Sequence, residues 1–481
     1  MRPRTLVLAA VAVAVANAAR FSSEIHVIDD AWISFRVARN WVERGLPVFE
    51  PSIPPAEGMT NLLWTGLSAL LLLAAPDLDP TIPARLGGLA CYAATVVIAA
   101  RLATRAAGDR PLAGAVTAGL LATSGSMAFH AVSGLETAAA GLLFVLAMSD
   151  LDGGRWTRAG VWLALGAATR PEGLLVGALG VLIAARGGLA AAARTAAPFA
   201  ALVVAMEAFR LHTYGALLPN TFAAKPPDPA AGLRYVARFV AFTGGVGILG
   251  ALPAVRVARP GAALAGVAGA LAAGVAWSGG DWMPGYRRLT EVAIALAVLV
   301  GIGVGVRSRL AIAGALAWLV GSGVAAARAV DSGRYYHPAL AWIAGLVERT
   351  PGVDSVALYD IGRFGWVFRG EIFDLGALTD ARLAAAPGRM GEKWDEAWFR
   401  ERSPDLVVLC VVGDVTPPLN ERPELRAPDA AVYASMRDHG GYTLRAAVPM
   451  LRTATALVYA RDGLSLPTDI WGPVPPGPSA P

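Results

Sequence analysis

Residues 61–75 read NLLWTGLSALLLLAA, and how this run is counted decides the topology of the whole chain. It is apolar enough for lipid but shorter than the ~20 residues that a spanning helix needs. Counted as a span, it puts Arg101, Arg105 and Arg110 on the same side as the loop after the first helix. Laid along the membrane interface, it puts them on the opposite side. The interfacial reading is adopted, and spans are then expected near 4–20, 83–101, 112–128, 135–149, 158–170, 173–186, 195–210, 233–251, 261–277, 289–306 and 310–327.

Arginine placement supports that scheme. Arg2 and Arg4, Arg101 with Arg105 and Arg110, Arg155 and Arg158, Arg186 and Arg194, Arg256 and Arg259, and Arg307 and Arg309 all fall on one side. Cytoplasmic loops carry such an excess of cations. The expected fold is a polytopic α-helical membrane protein of about 11 spans, N-terminus in and C-terminus out. Arg2, Arg4, the run Leu6–Val15 and Ala16-Asn17-Ala18 also fit a signal peptide. An uncleaved first helix is preferred, and either reading exports residue 21 onward.

The composition agrees. Of 481 residues, 55% are hydrophobic and 16% charged, against about 25% charged in soluble domains. The organisation expected is a membrane domain over 1–329, an extracytoplasmic α/β domain over 330–466 and a Pro-rich disordered tail over 467–481. In the second, 353–360, 405–411 and 456–460 read as strands and 381–386 and 392–401 as helices. The net charge of +5 comes from arginines dispersed over short loops, with Lys225 and Lys393 the only lysines. That is no nucleic-acid footprint. With the Ala and Gly abundance it points to a GC-rich bacterial genome, hence the bacterial inner membrane. Cys91 and Cys410 suggest neither disulfide nor metal, and the histidines lack ligand spacing.

The exported turns hold the polar strings. The loop 21–82 contains IDDAWISFR (28–36); later turns hold SGLET (133–137), RPEG (170–173), LPNTFAAK (218–225) and GGDWMPGYRR (279–288). The cytoplasmic turns show no comparable cluster. A polar site on one face suits an enzyme working there, whereas transporters place polar groups at mid-membrane.

Each string admits two readings. Asp29-Asp30 is a candidate base for deprotonating an acceptor hydroxyl, one carboxylate raising the other's proton affinity; alternatively Asp30 caps the helix that follows. Arg170 is a candidate phosphate ligand, or an ion-pair partner of Glu172 or Glu136. Lys225, with Arg287 and Arg288, is a candidate cradle for a leaving phosphate, or snorkels to lipid headgroups. Asp281 beside Trp282 suits a sugar, or forms a turn with an interfacial Trp. If Asp29, Asp30 and Asp281 converge, they provide carboxylates for a divalent metal.

As a set these strings resemble the GT-C superfamily of polytopic glycosyltransferases, above all the branch of the mycobacterial terminal β-(1→2)-arabinofuranosyltransferases. The matching strings are DDAWISFRVARN (29–40), Glu57–Trp64, SGLET, TRPEG, LPNTFAAK and GGDWMPGYR, over roughly residues 1–300. Tyr359-Asp360-Ile361-Gly362 and Asp374-Leu375-Gly376 match more loosely, and Arg288-Leu289-Thr290-Glu291 departs from the pattern. The resemblance implies a polyprenyl-phosphate sugar donor, an outward-facing site and Asp29 or Asp30 as base. Arg36, Glu136, Arg170, Glu172, Asn220, Lys225, Asp281, Trp282 and Arg287 are the expected substrate contacts, and a cell-envelope glycan or glycolipid is the expected acceptor. The C-terminal domain would then bind the acceptor. A flippase for lipid-linked sugar and a non-catalytic assembly factor are the rival classes.

Overall fold

The computed structural model describes residues 3–24, 27–242, 245–333, 337–412, 427–451, 454–467 and 471. Apart from Pro467 and Trp471, the expected tail lies outside the described residues.

The helical part begins with α1 (Pro3–Glu24), α2 (Asp29–Arg44), α3 (Leu62–Ala74), α4 (Thr81–Ala106), α5 (Pro111–Ala122), α6 (Gly125–Val132), α7 (Thr137–Asp152) and α8 (Trp156–Thr169). It continues with α9 (Glu172–Ala185), α10 (Leu189–Tyr214), α11 (Asn220–Ala224), α12 (Pro229–Phe242), α13 (Gly245–Val257), α14 (Arg259–Ser278), α15 (Thr290–Gly305) and α16 (Arg309–Gly333). Local chemistry sets many ends. Pro111 opens α5, the Ser124 hydroxyl accepts from the Met127 N–H at α6, and Gly45 and Gly215 close α2 and α10.

Among the described residues, five helices are long and apolar enough to cross a membrane: Thr5–Ser22, Thr81–Ala106, Leu189–Tyr214, Pro260–Ser278 and Arg287–Gly305. The pair α5 and α6 passes jointly but bends by 60°, so the expected span 112–128 is broken. The expected span 233–251 is likewise two helices, α12 and α13, with 243 and 244 outside the described residues. At 13 residues and 1.5 Å per residue, α3 falls well short of the ~30 Å hydrocarbon layer.

Every residue of α15 is buried, making it the central pillar. Apolar side chains gain little by leaving lipid for a helix interface, so close packing of small residues carries association. A Cβ at Gly301 would strike the Ala113 carbonyl and Thr117 of α5; one at Gly88 would strike the Ala131 carbonyl of α6. The Arg-rich turns do hold a polar knot, contrary to expectation. Asp150 accepts from Arg155 Nε at 2.6 Å and Trp162 Nε1 at 2.9 Å and pairs with Arg158 at 3.2 Å. It sits at the far end of α7 from Glu136.

The C-terminal part is α/β: α17 (His337–Glu348), β1 (Ser355–Leu358), α18 (Ile361–Val367), β2 (Glu371–Asp374), α19 (Ala381–Ala385), α20 (Glu396–Arg402), β3 (Leu406–Val412), α21 (Ala427–His439), β4 (Tyr442–Leu451) and β5 (Ala454–Arg461). The sheet order is β2-β1-β3-β5-β4, with β1 parallel to β2 and β3, and β5 antiparallel to β3 and β4. Strands β2 and β4 and helix α18 were not expected. The expected helix 392–401 starts only at Glu396, where Asp395 accepts from the Trp398 N–H.

The loop after α1 does not stand apart from this unit. Ile33, Val37, Phe49 and Met59 are buried in one hydrophobic core with β1, β2, β3 and α18. Arg36 completes the join. Its Nε donates to Phe49 O at 2.9 Å, Nη1 to Gly365 O and Phe368 O at 2.7 and 2.8 Å, and Nη2 to Glu50 and Gly370 O at 3.1 and 3.0 Å.

Candidate active site

The helix α2 decides how the acidic pair is used. Successive residues on an α-helix point about 100° apart, so Asp29 and Asp30 cannot face the same group. Asp29 is buried, and its two carboxylate oxygens accept from the backbone N–H groups of Gly362 and Arg363, both at 2.8 Å. Asp30 is only partly buried and lies within electrostatic reach of Lys225, Arg287, Asp29 and Asp281. Burial pushes its carboxyl up to about 6; Lys225 and Arg287 oppose this, and Asp29 and Asp281 add to it.

Opposite Asp30 stands the turn after α14. It needs glycine at 280, where φ is +77° and a Cβ would meet the Tyr235 ring at 2.6 Å. Tyr286 also sits at a positive φ of 54°, wedged edge-on against Tyr235 and Phe239. Ser126 donates to Gly285 O, and His130 Nε2 lies 3.1 Å from Pro284 O, pinning the turn to α6. The pinned turn directs Asp281 at Arg287, with Nε 2.9 Å from Oδ2. Burial pushes Asp281 up, but Arg287, Lys225, the Met283 N–H and Arg288 together outweigh it and hold the carboxyl below its usual range.

A chain of polar contacts backs this cluster. Arg288 Nε donates to Glu172 at 2.7 Å, and Arg170 lies 3.4 Å from Glu172 and 3.6 Å from Glu136. Glu136 accepts from Asn61 Nδ2 at 2.9 Å, and Asn61 Oδ1 accepts from Ser34 at 3.1 Å. Ser34 lies four residues beyond Asp30, on the same face of α2. Gly134 (φ +86°) lets the 133–137 turn close on α2, where a Cβ would press on Val27.

The fold thus gathers Asp30, Glu136, Arg170, Lys225, Asp281 and Arg287 around one centre, with Glu172 behind Arg170. Several expected substrate contacts lie elsewhere. Arg36 is not at the centre, because its N–H groups are committed to Phe49 O, Glu50 and the C-terminal part. Asn220 donates to Ala377 O and Leu378 O at 3.0 and 2.9 Å instead of facing the cluster. Trp282 points outward, 58% exposed. The three aspartates do not converge on an ion, because Asp29 is turned to α18; no group of three metal-ligating side chains occurs among the described residues. Asn61, which the sequence marks only as part of the string Glu57–Trp64, joins Ser34 to Glu136. Glu291, which no expected substrate contact includes, lines with Arg170 an otherwise apolar cavity between α7, α8, α9 and α15. A 3-10 turn, Arg287–Leu289, resolves the departure at 288–291, and α15 starts at Thr290.

No protein-family model and no curated protein sequence matches the chain. Solved structures do. ArnT from Cupriavidus metallidurans bound to undecaprenyl phosphate aligns with 97% of this chain and 99% of its own, at TM-score 0.62 and 13% identity. The Archaeoglobus fulgidus oligosaccharyltransferase aligns with 97% of this chain and 75% of its own, at TM-score 0.57 and 13% identity. Its complex with an inhibitory peptide and a dolichol-phosphate aligns at 0.54 and 12% identity, over 96% and 75%. At such low identity the likeness is one of fold: over nearly its whole length the chain shares the fold of these solved structures.

Proposed function

We propose that the chain is a membrane glycosyltransferase that transfers a sugar from a polyprenyl-phosphate donor to a cell-envelope glycan or glycolipid. The observation that carries this reading is the placement of Asp30, a carboxyl raised to about 6, within reach of the cations Lys225 and Arg287. A base and a phosphate cradle side by side are what such a displacement requires. The bound undecaprenyl phosphate of ArnT and dolichol-phosphate of the oligosaccharyltransferase support a lipid-phosphate donor.

In the proposed step the acceptor hydroxyl gives its proton to Asp30, and its oxygen attacks the anomeric carbon. The bond from that carbon to the phosphate oxygen breaks, and polyprenyl phosphate leaves with the electron pair. Lys225 and Arg287 stabilise the growing phosphate charge, Asp281 keeps Arg287 aimed, and Glu136 and Arg170 meet sugar hydroxyls. The single displacement inverts the anomeric centre. Arabinofuranose is the proposed sugar, from the resemblance of the exported strings. The site faces the exterior of a bacterial inner membrane, with the N-terminus inside.

The test is mass spectrometry of envelope glycans and glycolipids from a deletion strain complemented with wild type or Asp30→Asn. One sugar residue should vanish, return with wild type and stay missing with the variant. Full restoration by Asp30→Asn would refute the base and bring the transport reading forward.

A further inference from the structure

Open α/β sheets bind ligands in the crevice beyond the carboxyl ends of their parallel strands. Here the chain itself covers that end at β1 and β2. The turn after β1 leads into α18, whose Gly362 and Arg363 N–H groups hold the Asp29 carboxylate. The turn after β2 is met by Asn220, through Ala377 O and Leu378 O, and by Gly58, where a Cβ would run into Thr379. This end of the sheet is thus closed at both turns by residues from the N-terminal half of the chain.

The closure grips one side of α2. Asp29, Trp32, Arg36 and Arg39 recur at helical spacing and all meet α18 or the strand after it. The Arg363 guanidinium lies 3.9 Å from the Trp32 ring centre, Trp32 packs on Trp366 at 5.7 Å, and Arg39 Nη1 donates to Trp366 O at 2.8 Å. A Cβ at Gly362 would collide with the Asp29 carbonyl, so the approach is backbone to backbone. Asp30 and Ser34 occupy the neighbouring side, Asp30 within reach of Lys225 and Arg287 and Ser34 bonded to Asn61.

We propose that Asp29 is a positioning residue, not the base: through its paired bonds to Gly362 and Arg363, the C-terminal sheet locks the first turn of α2 and thereby aims Asp30. The inference rests on the reading of Asp30 as base. The C-terminal unit then serves the reaction as a bracket for the catalytic loop.

Two measurements on the full chain in lipid nanodiscs test it. Gly362 and Arg363 stand in the first turn of α18 and have no acceptor within the helix. Their amide exchange should be slow in wild type and Asp30→Asn and fast in Asp29→Ala; fast exchange in wild type overturns the proposal whether or not any donor is turned over. With polyprenyl-phosphate arabinofuranose as donor, Asp29→Asn should lower kcat roughly 10- to 100-fold and leave the donor KM nearly unchanged. The acid limb of kcat/KM should also move to lower pH, because the Asp29 charge that raises Asp30 is gone while Lys225, Arg287 and Asp281 still face it. An unmoved acid limb, or Asp29→Asn dead at every pH beside an active Asp30→Asn, overturns the proposal. A wild type inert toward this donor refutes the arabinofuranose assignment instead, and amide exchange still decides the Asp29 contact.

Discussion

Asp30 is held in a state that the folded chain would avoid if stability alone mattered. Its carboxyl is pushed from 3.8 to about 6. A raised acid binds its proton more tightly folded than unfolded, so its stabilising effect is present below pH 3.8 and fades as pH climbs to about 6. At neutral pH the deficit is at most about 3 kcal/mol. Asp30→Asn should therefore abolish transfer yet raise the melting temperature in nanodiscs, and wild-type activity should fall away below pH 6 as the base protonates. An inactive but less stable variant would contradict this account. Arg36 is the opposite case. It is 3% exposed, pairs with Glu50, and donates to Phe49 O, Gly365 O, Phe368 O and Gly370 O. Arg36→Ala should cost roughly 3–5 kcal/mol, since it strands a buried carboxylate. Thermal unfolding would show the loss, and Arg36→Lys should rescue little of it, because an ammonium cannot span that fan of acceptors.

At the scale of the element, small residues set how closely helices meet. Gly88 of α4 lies where any side chain would press on the Ala131 carbonyl of α6, and α6 carries His130 and Ser126, which hold the turn before Arg287. Gly88→Ala should destabilise by about 1–3 kcal/mol through overpacking. It should also lower kcat, because α6 is displaced; a stable variant of full activity would show that α4 and α6 tolerate separation. Helix α3 works through Asn61 at its start, which ties α2 to α7. Asn61→Asp would set a carboxylate against Glu136 in a buried site. Its melting temperature in nanodiscs should fall at neutral pH and recover only at low pH, where one of the pair is protonated.

At the scale of the molecule, the loop after α1 belongs physically to the C-terminal sheet. A chain ending after residue 333 would expose Ile33, Val37, Phe49 and Met59, which now lie in the shared core. Such a truncation should insert into membranes, lose all transfer and become protease-sensitive across 27–60; protection of that segment would mean that the loop folds by itself. By itself, the sequence determined the apolar helical character of the first two thirds, most helix positions, the shortness of the apolar run 61–75 and the adjacency of Asp29 and Asp30. These follow from composition and from the local spacing of apolar runs, which one chain segment carries alone. Only the tertiary structure decided that Asp29 and Asp30 meet different neighbours, that Arg36 and Asn220 hold the α/β unit, and that the span expected at 233–251 is two helices. Contacts such as Asp29 to Gly362 join residues more than three hundred positions apart. No local pattern encodes which face of α2 meets α18, because that depends on where the folded sheet presents its free N–H groups.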